Sequence, residues 1–281
     1  MSIYRIVNLL LEAGKAPACF GSFCLGDGLP PGQCPDIRVR YEPADRMNVS
    51  FEEITSVNGL RIGIGKDGWI YEDMATGCRM AVDEAYSDAV ITEEAKENTV
   101  LWGFLLQLLL ECRLLDEGVL TLHSCCIRYK DQAFAFSGPS GCGKSTRAGR
   151  WVEAFGAEYI SGDRPAVDVA ARRAYGAPWD GKERIFKNVS APFGAVFQVE
   201  RAETTSLRRL SAKQIRDFLI GQLFIPMWDT ERAMKAIVLL SRFIGSVPVY
   251  LLSCDQDTEA AAETIRQFFG NQEEIQEESS T

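Results

Sequence analysis

The chain has 281 residues, a formal net charge of −9, 46% hydrophobic residues and 25% charged residues. That length holds one large domain or two modest ones with a full apolar core. The acidic balance excludes a general nucleic-acid binder, which needs a basic stripe along its partner's phosphates. The most apolar run, residues 100–110, is about half of what a membrane span requires, so no membrane partner is expected. No basic stretch precedes an apolar run at the N-terminus, so no signal peptide is expected. The nine cysteines are odd in number and none shows C-x-x-C spacing. Cys19, Cys24 and Cys34 match no usual zinc spacing, and the single histidine is far away in sequence. Free thiols in a reducing, cytoplasmic compartment are the expectation.

In chain order, residues 1–93 read as a β-rich N-terminal region. The apolar run 4–11 leaves strand or helix open, because so short a run has no decisive period. Residues 14–35, rich in Gly, Pro and Cys, read as loop. The alternation of 36–42 predicts a half-buried strand. Residues 60–64 and 69–72, joined by a Lys66-Asp67-Gly68 turn, predict a hairpin that continues through 78–82. The acidic stretch 93–97 opens a long, largely buried helix over 101–115, ended by Asp116-Glu117-Gly118. Residues 119–127 predict one strand, joined by a turn at 129–132 to the strand 132–137. A helix follows over 145–155, then strands at 158–163, 165–169 and 195–199. Helical periodicity marks 211–222 and 230–244, a strand 247–252, and a last helix 258–269. Residues 94–270 are thus expected as the core, and 271–281 as a disordered acidic tail.

The strand 132–137 runs into Gly138-Pro139-Ser140-Gly141-Cys142-Gly143-Lys144-Ser145, which satisfies the phosphate-binding P-loop pattern G-x-x-x-x-G-K-[ST]. Strand, glycine turn and helix are the context that gives the pattern a mechanism. The glycines let backbone N–H groups wrap a phosphate, and the helix N-terminus adds partial positive charge. Gly138, Ser140, Gly141, Cys142, Gly143, Lys144, Ser145 and Thr146 form the expected nucleotide-binding set. Lys144 would reach the β- and γ-phosphates of ATP or another nucleoside triphosphate, and Ser145 would sit on Mg²⁺. Cys142 occupies a variable loop position and reads as a small side chain.

A second carboxylate is needed on the metal, and Asp163 is the candidate because it closes the first strand after the P-loop helix. His123 sits one hairpin away from the phosphates, where a general base, a proton relay and a charge partner are all open roles. Lys182, Arg184 and Lys187 cluster in a loop built with Gly176, Pro178, Trp179 and Gly181, and Lys182 or Arg184 would contact phosphate or substrate.

The pair His123-Ser124, the P-loop 138–145 and the run Ile160-Ser161-Gly162-Asp163-Arg164 together resemble the HPr kinase/phosphorylase family. The resemblance covers residues from about 119 to 255. The loop Pro178-Trp179-Asp180-Gly181-Lys182 is more similar to the HPr-kinase-related proteins of peptide-modification clusters. It implies an α/β (α+β) fold similar to phosphoenolpyruvate carboxykinase, with the P-loop inserted in a mixed sheet. It implies ATP-dependent transfer of a phosphoryl group to a serine-type hydroxyl on a peptide, protein or small molecule. Homo-oligomers occur among such kinases, which leaves that assembly open here. Two departures stand out. Gly162-Asp163 replaces the family's two adjacent aspartates, and the Lys182 loop lacks the true HPr kinase's arginine-bearing pattern. Residues 1–93 do not resemble that kinase's partner-binding domain, so HPr itself is not carried over. Phosphorolysis of a phosphorylated partner and a non-catalytic nucleotide-binding module remain the alternatives.

Overall fold

The computed structural model describes residues 1–179, 181, 184–255 and 257–278. It is a mixed α/β protein with two large mixed sheets and few helices. The chain divides into two compact units. The first comprises Met1–Val119, Ala177–Trp179 and Ile225–Ala236, and the second Leu120–Gly176, Asp180–Phe224 and Ile237–Thr281. The boundary expected at 93/94 therefore falls later along the chain, after the first helix.

In the first unit, β1 (Ser2–Ile6), β2 (Leu9–Ala13), β3 (Cys24–Asp27), β4 (Ile37–Glu42), β5 (Glu52–Val57), β6 (Leu60–Ile64), β7 (Trp69–Asp73), β8 (Arg79–Val82) and β9 (Asp88–Thr92) form one sheet. Its order is β3-β1-β2-β4-β9-β8-β7-β6-β5. The ambiguous run 4–11 resolves into two antiparallel strands turning at Val7, which takes a positive φ of 59°. Within the expected loop 14–35 lie a short 3-10 turn (Ala18–Phe23) and β3. The hairpin of β6 and β7 and its continuation into β8 are as the turn residues predicted. Helix α1 (Thr99–Asp116) starts at Asn98, whose side chain accepts hydrogen bonds from the N–H groups of Val100 and Leu101. Its leucines are buried nearly all round, which is why it reads as apolar without a sharp stripe.

The second unit holds β10 (Val119–Thr121), β11 (Ser124–Tyr129), β12 (Gln132–Ser137), β13 (Glu158–Ser161), β14 (Ala166–Asp168), β15 (Arg173–Tyr175), β16 (Ser190–Arg201), β17 (Ser206–Arg209) and β18 (Val249–Cys254). The order β10-β14-β15-β16-β12-β11-β13 is extended by β18, which pairs with β16, and by β17 beyond it. β16 is long enough to serve twice. Its first residues pair antiparallel with β15, and the rest run parallel to β12 and β18. The expected single strand over 119–127 is broken at Leu122-His123, where each residue finds a different partner. The Leu122 N–H donates to the Pro165 carbonyl and the His123 N–H to that of Gln222.

Helix α2 (Lys144–Phe155) lays Ala148 and Trp151 on the sheet, and Trp151 packs against Phe134, Phe136 and Tyr129. Phe197 and Phe268 complete this aromatic core. Helix α3 (Ala212–Leu219) opens on a Ser211/Gln214 capping box. Helix α4 (Thr230–Ile244) begins in the first unit and ends in the second. Helix α5, expected to stop at Phe269, runs Thr258–Glu278, so most of the acidic stretch after 270 is helical and not a disordered tail. Glutamate and glutamine are good helix formers, and the stretch lacks the proline that would end it. Among the described residues no helix is long and apolar enough to cross a membrane.

Candidate functional site

Three chain segments converge on one edge of the second unit's sheet. β12 and β16 are parallel, so their C-terminal ends share that edge. β11 runs antiparallel to β12 with Ser124 opposite Ser137, which puts the residue before Ser124, His123, beside the start of the P-loop. β13 runs antiparallel to β11 and ends at Ser161, which delivers Gly162-Asp163 to the same edge. Loops at the C-terminal ends of parallel strands are where open α/β sheets place ligands.

The loop between β12 and α2 is shaped by its glycines. Gly138, Gly141 and Gly143 take φ values of 151°, 80° and 97°, in the region that only glycine enters without strain. Gly143 is the N-cap of α2, so Lys144 and Ser145 open the helix. The Lys144 ammonium donates to the carbonyls of Gly138 (2.9 Å) and Pro139 (3.3 Å), which folds it across the loop's own mouth. Ser140 and Thr146 are exposed and Ser145 half-buried. The Cys142 thiol turns inward, in contact with the apolar core, and would lie 2.9 Å from a Cβ at Gly138. It fills space beside the strand.

His123 and Asp163 meet. Nε2 of His123 lies 3.3 Å from Oδ1 of Asp163, and both side chains keep about a third of their surface, at 31% and 33% exposure, open to a ligand. Their backbones are tied to each other and to the P-loop strand. The Ser124 N–H donates to the Asp163 carbonyl at 2.7 Å, and the Ser137 hydroxyl donates to the His123 carbonyl at 2.8 Å. Ser137 immediately precedes Gly138, so the pair and the start of the glycine loop share one hydrogen-bonded frame. The Asp163 carboxyl is held below its ordinary range. The His123 hydrogen bond is the main cause; burial acts the other way, and the charges of His123, Arg164 and Lys144 add to the lowering. Asp163 is therefore an ionised acceptor at neutral pH.

The basic loop comes back to the same place. Phe186 bridges antiparallel to Ser161, and Gly176 has room for no side chain, since a Cβ there would meet the Lys187 carbonyl at 1.9 Å. A Cβ at Gly181 would lie 3.2 Å from that of Asp163. Arg184 is exposed, with a positive φ of 54°, two residues before Phe186 as Asp163 is two after Ser161. Lys187 is exposed too. Lys182 lies outside the described residues.

Among the described residues no group of three or more His, Cys, Asp and Glu could hold a metal ion. Ser145 and Asp163 thus offer one hydroxyl and one carboxylate. That set fits Mg²⁺, which keeps its water and phosphate ligands and takes few from protein, and does not fit a dedicated metal cage.

Sequence reasoning missed Arg147. It lies on the same helical stripe as Ala148 and Trp151, is 3% exposed, and hydrogen-bonds to the carbonyl of Cys142 inside the P-loop. An arginine on an otherwise apolar stripe was the available signal.

No protein-family model matches the chain, and no curated protein matches it.

Proposed function

We propose that this protein is an ATP-dependent kinase that transfers a phosphoryl group to a hydroxyl acceptor on a peptide, protein or small molecule. The reading includes the HPr-kinase-like resemblance and its phosphoenolpyruvate-carboxykinase-like core. One observation carries it: an ionised carboxylate and a histidine lie 3.3 Å apart, with the His123 carbonyl held by the Ser137 hydroxyl at the end of the strand that launches a P-loop. A P-loop alone supports nucleotide binding. A partly exposed acid–base pair fixed beside it supports chemistry on what the nucleotide delivers.

The roles follow from the groups. The loop amides and Lys144 bind the phosphates, and Lys144 exchanges its two carbonyl acceptors for phosphate oxygens. Ser145 and Asp163 would hold Mg²⁺, which supplies charge neutralisation across the phosphates when bound. The acceptor oxygen forms a bond to the γ-phosphorus, the bond from that phosphorus to the bridging oxygen breaks, and ADP leaves. The hydroxyl proton passes to the His123–Asp163 pair. Arg184, two residues before Phe186 where the chain bridges back to Ser161, would neutralise the developing charge, a role the sequence also offers to Lys182.

The test is calorimetric binding of Mg-ATP to wild type and Lys144→Ala, with acceptor-dependent ADP release measured alongside. Lys144→Ala should keep its melting temperature and lose both binding and transfer, because this side chain serves a ligand and no core. Near-wild-type affinity in that variant would sink the proposal. Binding without any acceptor-dependent turnover would instead leave a non-catalytic nucleotide module.

A further inference from the structure

The geometry points to Arg147 as a positioning residue that aims a P-loop amide at the phosphates, an inference resting on the kinase reading of that loop. Its guanidinium is buried, yet the acceptors it finds are neutral. Nη1 donates to the Cys142 carbonyl at 2.7 Å, and Nη2 to the carbonyls of Cys254 (2.6 Å) and Glu200 (3.0 Å). Nε faces the Cys254 sulfur at 2.9 Å. Burial is the main influence on that thiol and pushes its pKa up, so it stays protonated. Helix packing does not call for this arrangement. An apolar side chain at the same stripe position would bury without the cost of desolvating a fixed charge.

The use of the charge appears one peptide further on. A trans peptide plane points its C=O and the following N–H in opposite directions. By drawing the Cys142 carbonyl towards itself, Arg147 turns the N–H of Gly143 the other way, out of the helix base and into the phosphate loop. Gly143 is in the left-handed region with φ 97°, which lets the chain accept that plane and still open α2. The same fork holds residues at the C-terminal ends of β16 and β18, paired with Glu200 beside Ser253 and Arg201 beside Cys254. Loop, helix and strand ends are thereby locked before any nucleotide arrives, and a fixed positive charge lies beneath the anion site. Lysine would keep the charge but not the planar fork.

The experiment compares wild type, Arg147→Lys and Arg147→Met by calorimetry with Mg-ADP and Mg-ATP, each melted to check folding. Arg147→Met should weaken both nucleotides by about 10- to 100-fold, the scale of a charge-assisted hydrogen bond lost from a phosphate site. Arg147→Lys should recover part of that loss. In ¹⁵N-labelled protein, the Gly143 amide proton should move downfield on saturation with Mg-ADP in wild type and by less in Arg147→Lys, a readout that a purely structural arginine would not produce. A folded Arg147→Met with wild-type affinity overturns the inference, as does a Gly143 amide that does not shift. Should Arg147→Met not fold, Arg147→Lys decides: wild-type affinity together with a wild-type Gly143 shift overturns the inference. Wild type that binds neither nucleotide removes the kinase reading, and this inference with it, which is a distinguishable result.

Discussion

Asp163 and His123 share one hydrogen bond but make different demands on their variants. Asp163 is ionised well into acid, because its carboxyl is held down by His123 and by the nearby cations. His123→Asn should lower kcat by about 10²- to 10⁴-fold, the usual worth of general acid–base catalysis, with Mg-ATP affinity little changed. Asp163→Asn should lower kcat and also raise the Mg²⁺ concentration needed for half-maximal rate. Stability separates them further. A carboxyl whose folded pKa is depressed contributes its full stabilisation above the ordinary carboxylate pKa of about 4 and loses it as pH falls through the folded value. The melting-temperature gap between wild type and Asp163→Asn should therefore be constant near neutrality and close below about pH 4. The gap itself will be small, since the pair is a third exposed and solvent screens it. A gap that widens in acid would contradict the assigned direction.

Helix α2 couples the hydrophobic core to the proposed phosphate site. Its first turn carries Lys144 and Ser145, and its body is anchored by Trp151, which is 1% exposed among Phe134, Phe136 and Tyr129. Trp151→Ala should cost about 3–5 kcal/mol in urea denaturation, the range for deleting a large buried aromatic. Its nucleotide affinity should fall too, because the helix N-terminus loses the packing that holds it. The helix and its P-loop were legible locally, as a strand, glycines and an amphipathic stripe. The break before β11 was not. Residues 119–127 carry no glycine, proline or turn pair, and nothing in such a run marks where a strand exchanges partners. Only hydrogen bonds to Pro165 and Gln222, distant in sequence, place His123 in that break.

Across the whole chain, all nine cysteines are free. Denatured protein prepared without reductant should titrate nine thiols, and native protein should react first at exposed Cys24 and Cys34, with buried Cys112 and Cys126 slowest. Fewer than nine in the denatured chain would reveal a covalent bond that the fold does not call for. The division into units was only partly visible in composition. Helix α1 looked like the start of the P-loop core because the acidic stretch before it changes the character of the chain. Its Trp102 donates to the Tyr41 hydroxyl, a contact across 61 positions that assigns the helix to the first unit.

Short-range chemistry was thus enough to place the P-loop pattern between a strand and a helix and to read the hairpins with glycine turns, since each depends on residues within a few positions of one another. Three things depended on tertiary structure. The pairing of His123 with Asp163 needs β11 between β12 and β13, an order that no local pattern encodes. The placing of Gly181 beside Asp163 and of Phe186 beside Ser161 needs the close approach at Gly176. The role inferred for Arg147 needs β16 and β18 side by side, because a guanidinium selects its acceptors by distance and direction, and these lie 53 and 107 positions away in the chain.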